Sequence, residues 1–206
     1  MCYNITMTKI KKLDKWQKLG VLMLVVVIGG FFGWVYEFFF YFLDGGAKEF
    51  YMEGGNFLPW INIYAIGALL ILATTWRLRK YPWAVFLISV VTTGLLELTA
   101  GWLVYTIGNG TRYWDYNNEI WNFGNIGGFV CLRSVLFFGV SALILTYLIM
   151  PFCIKLARTM SRRAFLALAI TLFSLVMIDE LGNLICKNLN LPTAMDFYRG
   201  IGLKYR

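Results

Sequence analysis

The chain has 206 residues, of which 59% are hydrophobic and only 15% are charged, and its formal net charge is +8. This apolar composition indicates a membrane protein. The basic residues lie in separate loops instead of on one face, which argues against nucleic-acid binding. The absence of histidine and of a C-x-x-C motif argues against a zinc site.

Five apolar stretches are long enough to cross a membrane as helices, since a helix needs about 20 apolar residues to span the hydrocarbon layer. They lie at roughly 19–43, 58–77, 82–106, 131–154 and 164–186. The second is the least regular, because Pro59 and Asn62 stand at its start. None alternates in polarity as a membrane strand would. The sequence therefore predicts an all-α, polytopic integral membrane helix bundle with about five transmembrane helices.

The basic residues are distributed unevenly between the two sides of this bundle. Twelve precede the first span or follow the second and fourth spans, against six in the alternate loops and the tail. The positive-inside rule then places the N-terminus in the cytoplasm. The predicted division is a basic cytoplasmic segment 1–18, a transmembrane domain 19–186 with external loops near 44–57 and 107–130, and an external C-terminal tail 187–206. We expect a multi-pass protein of the cell membrane, surrounded by the lipid bilayer.

Ionisable side chains within the predicted spans are few, and a lipid-facing charge there costs a few kcal/mol. They are Glu37, Glu97, Arg133, Asp179 and Glu180. Glu37 shares its helical face with Gly33, and Glu97 shares its face with Gly101, so both should face the bundle. One arginine cannot neutralise four carboxylates. This mismatch favours a cavity that is open to the outside, and the alternative is a polar network that only locks the helices together.

The second external loop, residues 108–128, is rich in Trp, Tyr, Asn and Gly. Long loops without regular structure usually bind something or form a lid. Its W-D-Y segment, Trp114 to Tyr116, is therefore a candidate lid over the cavity. The alternative is an aromatic anchor at the membrane interface.

Several short motifs occur in an order and spacing that are specific in combination. They are G-W-x-x-E (Gly33, Trp34, Glu37), E-x-x-x-G (Glu97, Gly101), W-D-Y, and N-x-x-G-x-V-C-L-x-S-x-x-x-x-G beginning at Asn125. Through them, residues 29–145 resemble the bacterial family described as putative ABC-transporter permeases (type IV, CmpB-like), which has small vertebrate relatives. Where the family usually has proline and glycine around an I-Y pair, this chain has Asn62 and Ala65. Its first external loop is expected to differ accordingly.

The resemblance implies a permease-like membrane protein. The chain has no G-x-x-x-x-G-K-[ST] loop, so a permease role would require a separate ATPase subunit. No internal repeat supplies the two inverted halves of a secondary transporter, and transport by so small a bundle is expected to need a homo-oligomer.

The leading hypothesis is a protein that binds or moves a small solute or cation through an outward-facing, carboxylate-lined cavity. The expected lining residues are Glu37, Glu97, Arg133, Asp179, Glu180, Tyr64, Asn62, Trp114, Asp115, Tyr116 and Asn125. No organic cofactor is predicted, and the carboxylates are compatible with a divalent cation. No catalytic residue is assigned, because neither G-x-S-x-G nor H-E-x-x-H occurs. The alternatives are an intramembrane enzyme acting on a lipid or amphiphile, and a structural or regulatory membrane subunit.

The charge asymmetry generates a topology prediction. A single cysteine replacing Lys80 in a cysteine-free chain should not react with an impermeant maleimide added outside, because that loop is predicted to be cytoplasmic. A cysteine replacing Arg112 should react and serves as the control. Labelling of the Lys80 position in intact cells would show that the orientation is opposite to the predicted one.

Overall fold

The structure is a computed structural model that describes residues 12–45, 52 and 54–204. Most of the predicted basic segment, part of the first external loop and the last two residues lie outside the described residues. The helices are α1 (Lys15–Asp44), α2 (Asn62–Thr75), α3 (Pro82–Ile107), α4 (Leu132–Ile144), α5 (Met150–Thr159), α6 (Arg162–Asn188) and α7 (Ala194–Gly200). Short 3-10 turns lie at Trp76–Leu78 and Tyr116–Asn118, and a π-helical segment, Leu145–Ile149, joins α4 to α5.

The helices confirm the predicted all-α membrane bundle. Four are long and apolar enough to cross a membrane: Lys15–Asp44, Pro82–Ile107, Leu132–Thr159 and Arg162–Asn188. The predicted span 58–77 corresponds to a shorter apolar helix, Asn62–Leu78. It begins four residues later than predicted because the residues around Pro59 belong to the preceding loop, whose backbone bonds to α6. The predicted tail contains a further short helix, α7.

The first helix begins where its capping residues predict. Asp14 accepts hydrogen bonds from the backbone N–H groups of Trp16 and Gln17, and Gln17 completes the capping box. The Gln17 backbone bond, with a smaller contribution from Arg162, lowers the pKa of Asp14 below its usual range. The buried Gln17 side chain also donates to the carbonyl oxygen of Ala157 at 2.7 Å, which ties α1 to the end of α5.

The bundle packs around α1. This helix lies against α2, α5 and α6, whereas α3 lies against α2 and α4. The largest fully buried side chains of the core include Val25, Ile71, Val85 and Phe165, contributed by four different helices. Pro151 lacks the N–H that would continue the α-helical ladder, and the π-helical segment ends directly before this turn.

Two glycines of α1 allow two aromatic side chains, one just before α2 and one in its first turn, to approach the α1 backbone. A Cβ at Gly30 would overlap the indole of Trp60, and a Cβ at Gly33 would overlap the ring of Tyr64. The Trp60 indole N–H donates to the carbonyl oxygen of Val26 at 3.1 Å. These small residues therefore decide how closely α2 packs on α1.

The close contact at Gly33 predicts that Gly33→Ala lowers the free energy of unfolding by about 1–3 kcal/mol, the usual cost of overpacking. Gly182→Ala on α6 is the matched control, because a Cβ there meets nothing within 4 Å. Both variants gain the same helix propensity, up to about 1 kcal/mol, so their difference isolates the clash with Tyr64. Thermal unfolding in detergent measures both, and equal midpoints would contradict the packing assignment.

Candidate functional site

A buried carboxylate lies between α3 and α4. Glu97 is only 5% exposed. The Tyr116 hydroxyl donates to its Oε1 at 2.6 Å, and the Ser134 hydroxyl lies 2.6 Å from its Oε2. Tyr116 belongs to the W-D-Y segment, so this loop reaches down to α3. Burial, with the carboxylate of Glu97 nearby, raises the pKa of Tyr116 well above its usual range, which keeps the phenol protonated as a donor.

A second network surrounds Arg133 at the start of α4. Its Nη2 donates to Oε2 of Glu119 at 2.6 Å, and Glu119 is buried. The other carboxylate oxygen accepts from the Tyr41 hydroxyl of α1 at 3.0 Å. The guanidinium lies over the ring of Phe40, 3.8 Å from its centroid, and 5.3 Å from the centroid of Tyr116. Arg133 therefore connects α1, α4 and the loop that carries Tyr116.

The remaining W-D-Y residues hold the loop in shape. The Trp114 indole donates to the carbonyl oxygen of Phe129 at 2.9 Å. Asp115 accepts from the backbone and side chain of Asn117 at 3.1 and 2.7 Å. Asn125 donates to the Asn117 side chain at 2.8 Å and accepts from the Gly128 N–H at 2.8 Å. Asp115 thus caps its own turn, and Asn125 closes the loop around it.

Asp179 and Glu180 on α6 form a separate cluster with the first external loop. Asp179 accepts from the backbone N–H groups of Phe57 and Leu58 at 3.1 and 2.6 Å. Glu180 accepts from the side chains of Asn56 and Asn62, both at 2.7 Å. Each carboxylate therefore fixes a loop that precedes α2.

The structure divides the predicted site residues into these clusters. Glu97 and Arg133 lie in adjacent networks joined by Tyr116, whereas the Asp179–Glu180 pair lies with Asn62. Glu37 is half-buried on α1 and lies within electrostatic range of Tyr64. That Glu37 and Glu97 line one cavity stays a prediction.

Sequence reasoning missed Glu119, the partner of Arg133. Glu119 lies outside the apolar spans, in a polar loop with no periodicity that would mark it as buried. A usable signal is that a buried arginine requires a carboxylate partner, and the loop before the fourth span contains two acidic residues, Asp115 and Glu119. Ser134 falls within the motif that begins at Asn125, but the motif does not indicate a contact with Glu97.

An apolar groove of about 430 Å³ lies between α1, α2 and α4. Its walls include Gly33, Tyr36, Phe40, Tyr64, Phe137 and Ser141. The rings of Tyr36 and Phe137 stack with centroids 3.6 Å apart, and those of Tyr64 and Phe138 with centroids 5.3 Å apart. Of the predicted site residues, only Tyr64 lines this groove. Phe32 and Phe39 of α1 also line it.

No metal-binding cluster is evident in the part of the chain that the structure describes. Within those residues, no three side chains among His, Cys, Asp and Glu are grouped so that they could hold an ion. Glu97, Glu119, Asp179 and Glu180 accept hydrogen bonds from the protein. The polar networks position the loops, and the bundle presents an apolar, aromatic groove.

Comparison with known proteins identifies the family. A family model described as "Putative ABC-transporter type IV" matches residues 24–183, which is most of the chain. The chain therefore belongs to this family, and its apolar helices agree with a membrane protein. No curated protein and no solved structure matches it.

Hydrogen-bond counting around Glu97 generates a prediction. Ser134 has one hydroxyl proton but two acceptors in reach, Oε2 of Glu97 at 2.6 Å and the Cys131 carbonyl oxygen at 2.9 Å. Both contacts are satisfied together if Glu97 carries a proton and donates to Ser134. Glu97→Gln reproduces that pattern and should change the free energy of unfolding by less than about 1 kcal/mol.

Tyr116→Phe, by contrast, removes a donor from the buried Glu97 and should cost about 1–3 kcal/mol. Tyr81→Phe is the matched control, because Tyr81 is exposed and its hydroxyl makes no hydrogen bond among the described residues. Thermal unfolding in detergent compares the three variants. A loss for Glu97→Gln as large as that for Tyr116→Phe would show that the position requires a charged carboxylate.

Proposed function

We propose that this member of the family is a permease-like subunit of the cell membrane that binds a small amphiphilic molecule in the groove between α1, α2 and α4. The single observation that carries the proposal is the groove itself. Its volume of about 430 Å³ falls within the range of small-molecule sites, about 300–1,000 Å³. The few side chains in its wall that carry a polar atom, those of Tyr36, Tyr64, Trp121 and Ser141, are neutral.

The groove can be reached from the lipid side. Phe39 of α1 and Ile144 of α4 both line it, and they are 58% and 39% exposed. Along α1 the lining runs from Gly29 to Leu43, which corresponds to about 21 Å at the standard helical rise. Half of the hydrocarbon core is about 15 Å thick, so a hydrocarbon chain from one leaflet can lie along this wall.

An amphiphile is better supported than a free cation as the bound solute. Glu97 and Glu180 each have two protein hydroxyl or amide partners, and Asp179 accepts from two backbone N–H groups and from Asn183. Their oxygens are thus occupied by groups that a cation would have to displace. The outward-facing, carboxylate-lined cavity is accordingly replaced in this proposal by the apolar groove.

Energy for transport would come from outside the chain. The sequence has no phosphate-binding G-x-x-x-x-G-K-[ST] loop, so an ATP-driven mechanism needs a separate ATPase subunit. A purely structural subunit is the competing proposal, and it predicts no specific occupancy of the groove.

The proposal is tested with a substitution that fills the groove. Ser141→Trp places a large side chain in its wall, and Val140→Trp places the same side chain on a neighbouring position that is 50% exposed and outside the groove. Photo-crosslinking with a diazirine-bearing long-chain fatty acid in proteoliposomes, mapped by mass spectrometry, measures occupancy. We expect labelling of the groove walls, reduced about tenfold or more by Ser141→Trp and little by Val140→Trp.

Both variants are first checked for thermal stability, so that loss of labelling cannot come from unfolding. Labelling spread evenly over all lipid-facing helices, or equal loss in the two tryptophan variants, would overturn the proposal and favour a structural subunit.

A further inference from the structure

A second cleft lies between the turn after α2 and the helix α5, at the end of the bundle opposite the loop that carries the W-D-Y segment. Its volume is about 570 Å³. The side chains of Arg79, Lys155 and Arg158 surround it. The charge asymmetry of the sequence predicts that this end faces the cytoplasm, where basic clefts between helices meet anionic lipid.

The turn that carries Arg79 is held in place. The Arg79 guanidinium donates to the carbonyl oxygen of Trp76 at 2.8 Å and lies over the indole, 4.6 Å from its centroid. The Arg79 carbonyl oxygen accepts from the Tyr147 hydroxyl at 2.7 Å. The cation is therefore oriented before any ligand arrives, which reduces the conformational entropy lost on binding.

The other wall is one face of α5. Pro151, Ile154, Lys155 and Arg158 recur at helical spacings of three and four residues, and all line the cleft. The opposite face, which includes Cys153, is buried in the core. The cleft thus combines an apolar wall with a basic rim, the arrangement that the glycerol and phosphate of a lipid headgroup require.

Its charges are uncompensated within the described part of the chain. No carboxylate there pairs with Arg79, Lys155 or Arg158. By contrast, Arg162 at the same end pairs with Asp14 at 2.7 Å. Three cations around one cleft repel one another, and an anion between them would remove that repulsion.

We propose that this cleft binds the phosphate of an anionic membrane lipid, with Arg79, Lys155 and Arg158 as its partners. Guanidinium groups match phosphate oxygens in pairs, and the lysine adds a point charge. Trp76, Pro151 and Ile154 supply contacts for the glycerol and the first methylenes, which a free phosphate ion could not use. This site is independent of the groove between α1, α2 and α4.

The test compares two charge-matched triple variants of the full chain. The first is Arg79→Gln with Lys155→Gln and Arg158→Gln. The second is Arg77→Gln with Lys80→Gln and Arg163→Gln, which removes three exposed cations from the same end but outside the cleft. Native mass spectrometry of detergent-solubilised protein measures binding of phosphatidylglycerol and of phosphatidylcholine with the same acyl chains.

We expect the cleft variant to lose about tenfold or more in affinity for phosphatidylglycerol, since each basic residue near a lipid surface contributes measurably. The control variant should lose clearly less, and phosphatidylcholine binding should change in neither. Thermal stability of all proteins is compared first.

Three outcomes would overturn the proposal. Equal losses of phosphatidylglycerol affinity in the two variants would indicate a general surface potential. No loss of affinity in either variant would exclude the lipid as the ligand and favour an acidic protein partner. Displacement of phosphatidylglycerol by low-millimolar inorganic phosphate would assign the cleft to a free phosphate ion instead of a lipid.

Discussion

Polar groups that lie within an apolar bundle must find partners inside the protein, because lipid offers none. In this chain many of the partners come from the loops. Glu97 on α3 takes the hydroxyl of Tyr116, Arg133 on α4 takes the carboxylate of Glu119, and Asp179 on α6 takes two backbone N–H groups. Each of these helix side chains therefore helps to fix the conformation of a connecting segment. The loops that look irregular in sequence are ordered by the helices below them.

The ordering of the loops by the helices determines where a ligand could reach the protein. The loop 111–131 is bound to α3 through Tyr116 and to α4 through the ion pair of Glu119 with Arg133, and the Trp114 indole donates within the loop, so these polar groups are used internally. The sides of the bundle are packed unevenly, because α1 lies along α2 and α6 whereas α4 lies along α3. The groove occupies the space between α1 and α4, and the ring of Tyr64 from α2 forms part of its wall.

The parts of this arrangement differ in how far the sequence predicts them. Hydropathy locates the spans because insertion depends on local apolar length, and the spacing of Glu97 from Gly101 places this acid on a packed face. The pairing of Arg133 with Glu119 joins a helix to an irregular loop, and no periodicity marks a loop residue as buried. The groove is equally hidden, because a phenylalanine such as Phe39 looks the same in sequence whether it faces lipid or a cavity. Only the relative placement of α1 and α4 shows whether such a side chain faces lipid or the groove.

The polar networks and the groove share one side chain. Phe40 is 6% exposed, its ring supports the guanidinium of Arg133, and it also lines the groove. Trp121, from the loop that carries Glu119, reaches the same groove. Because close-packed side chains transmit displacement instead of absorbing it, repacking of the groove wall at Phe40 must alter the surface on which Arg133 rests. Phe40 thus links the ion pair that orders the loop to the groove wall that would hold an amphiphile.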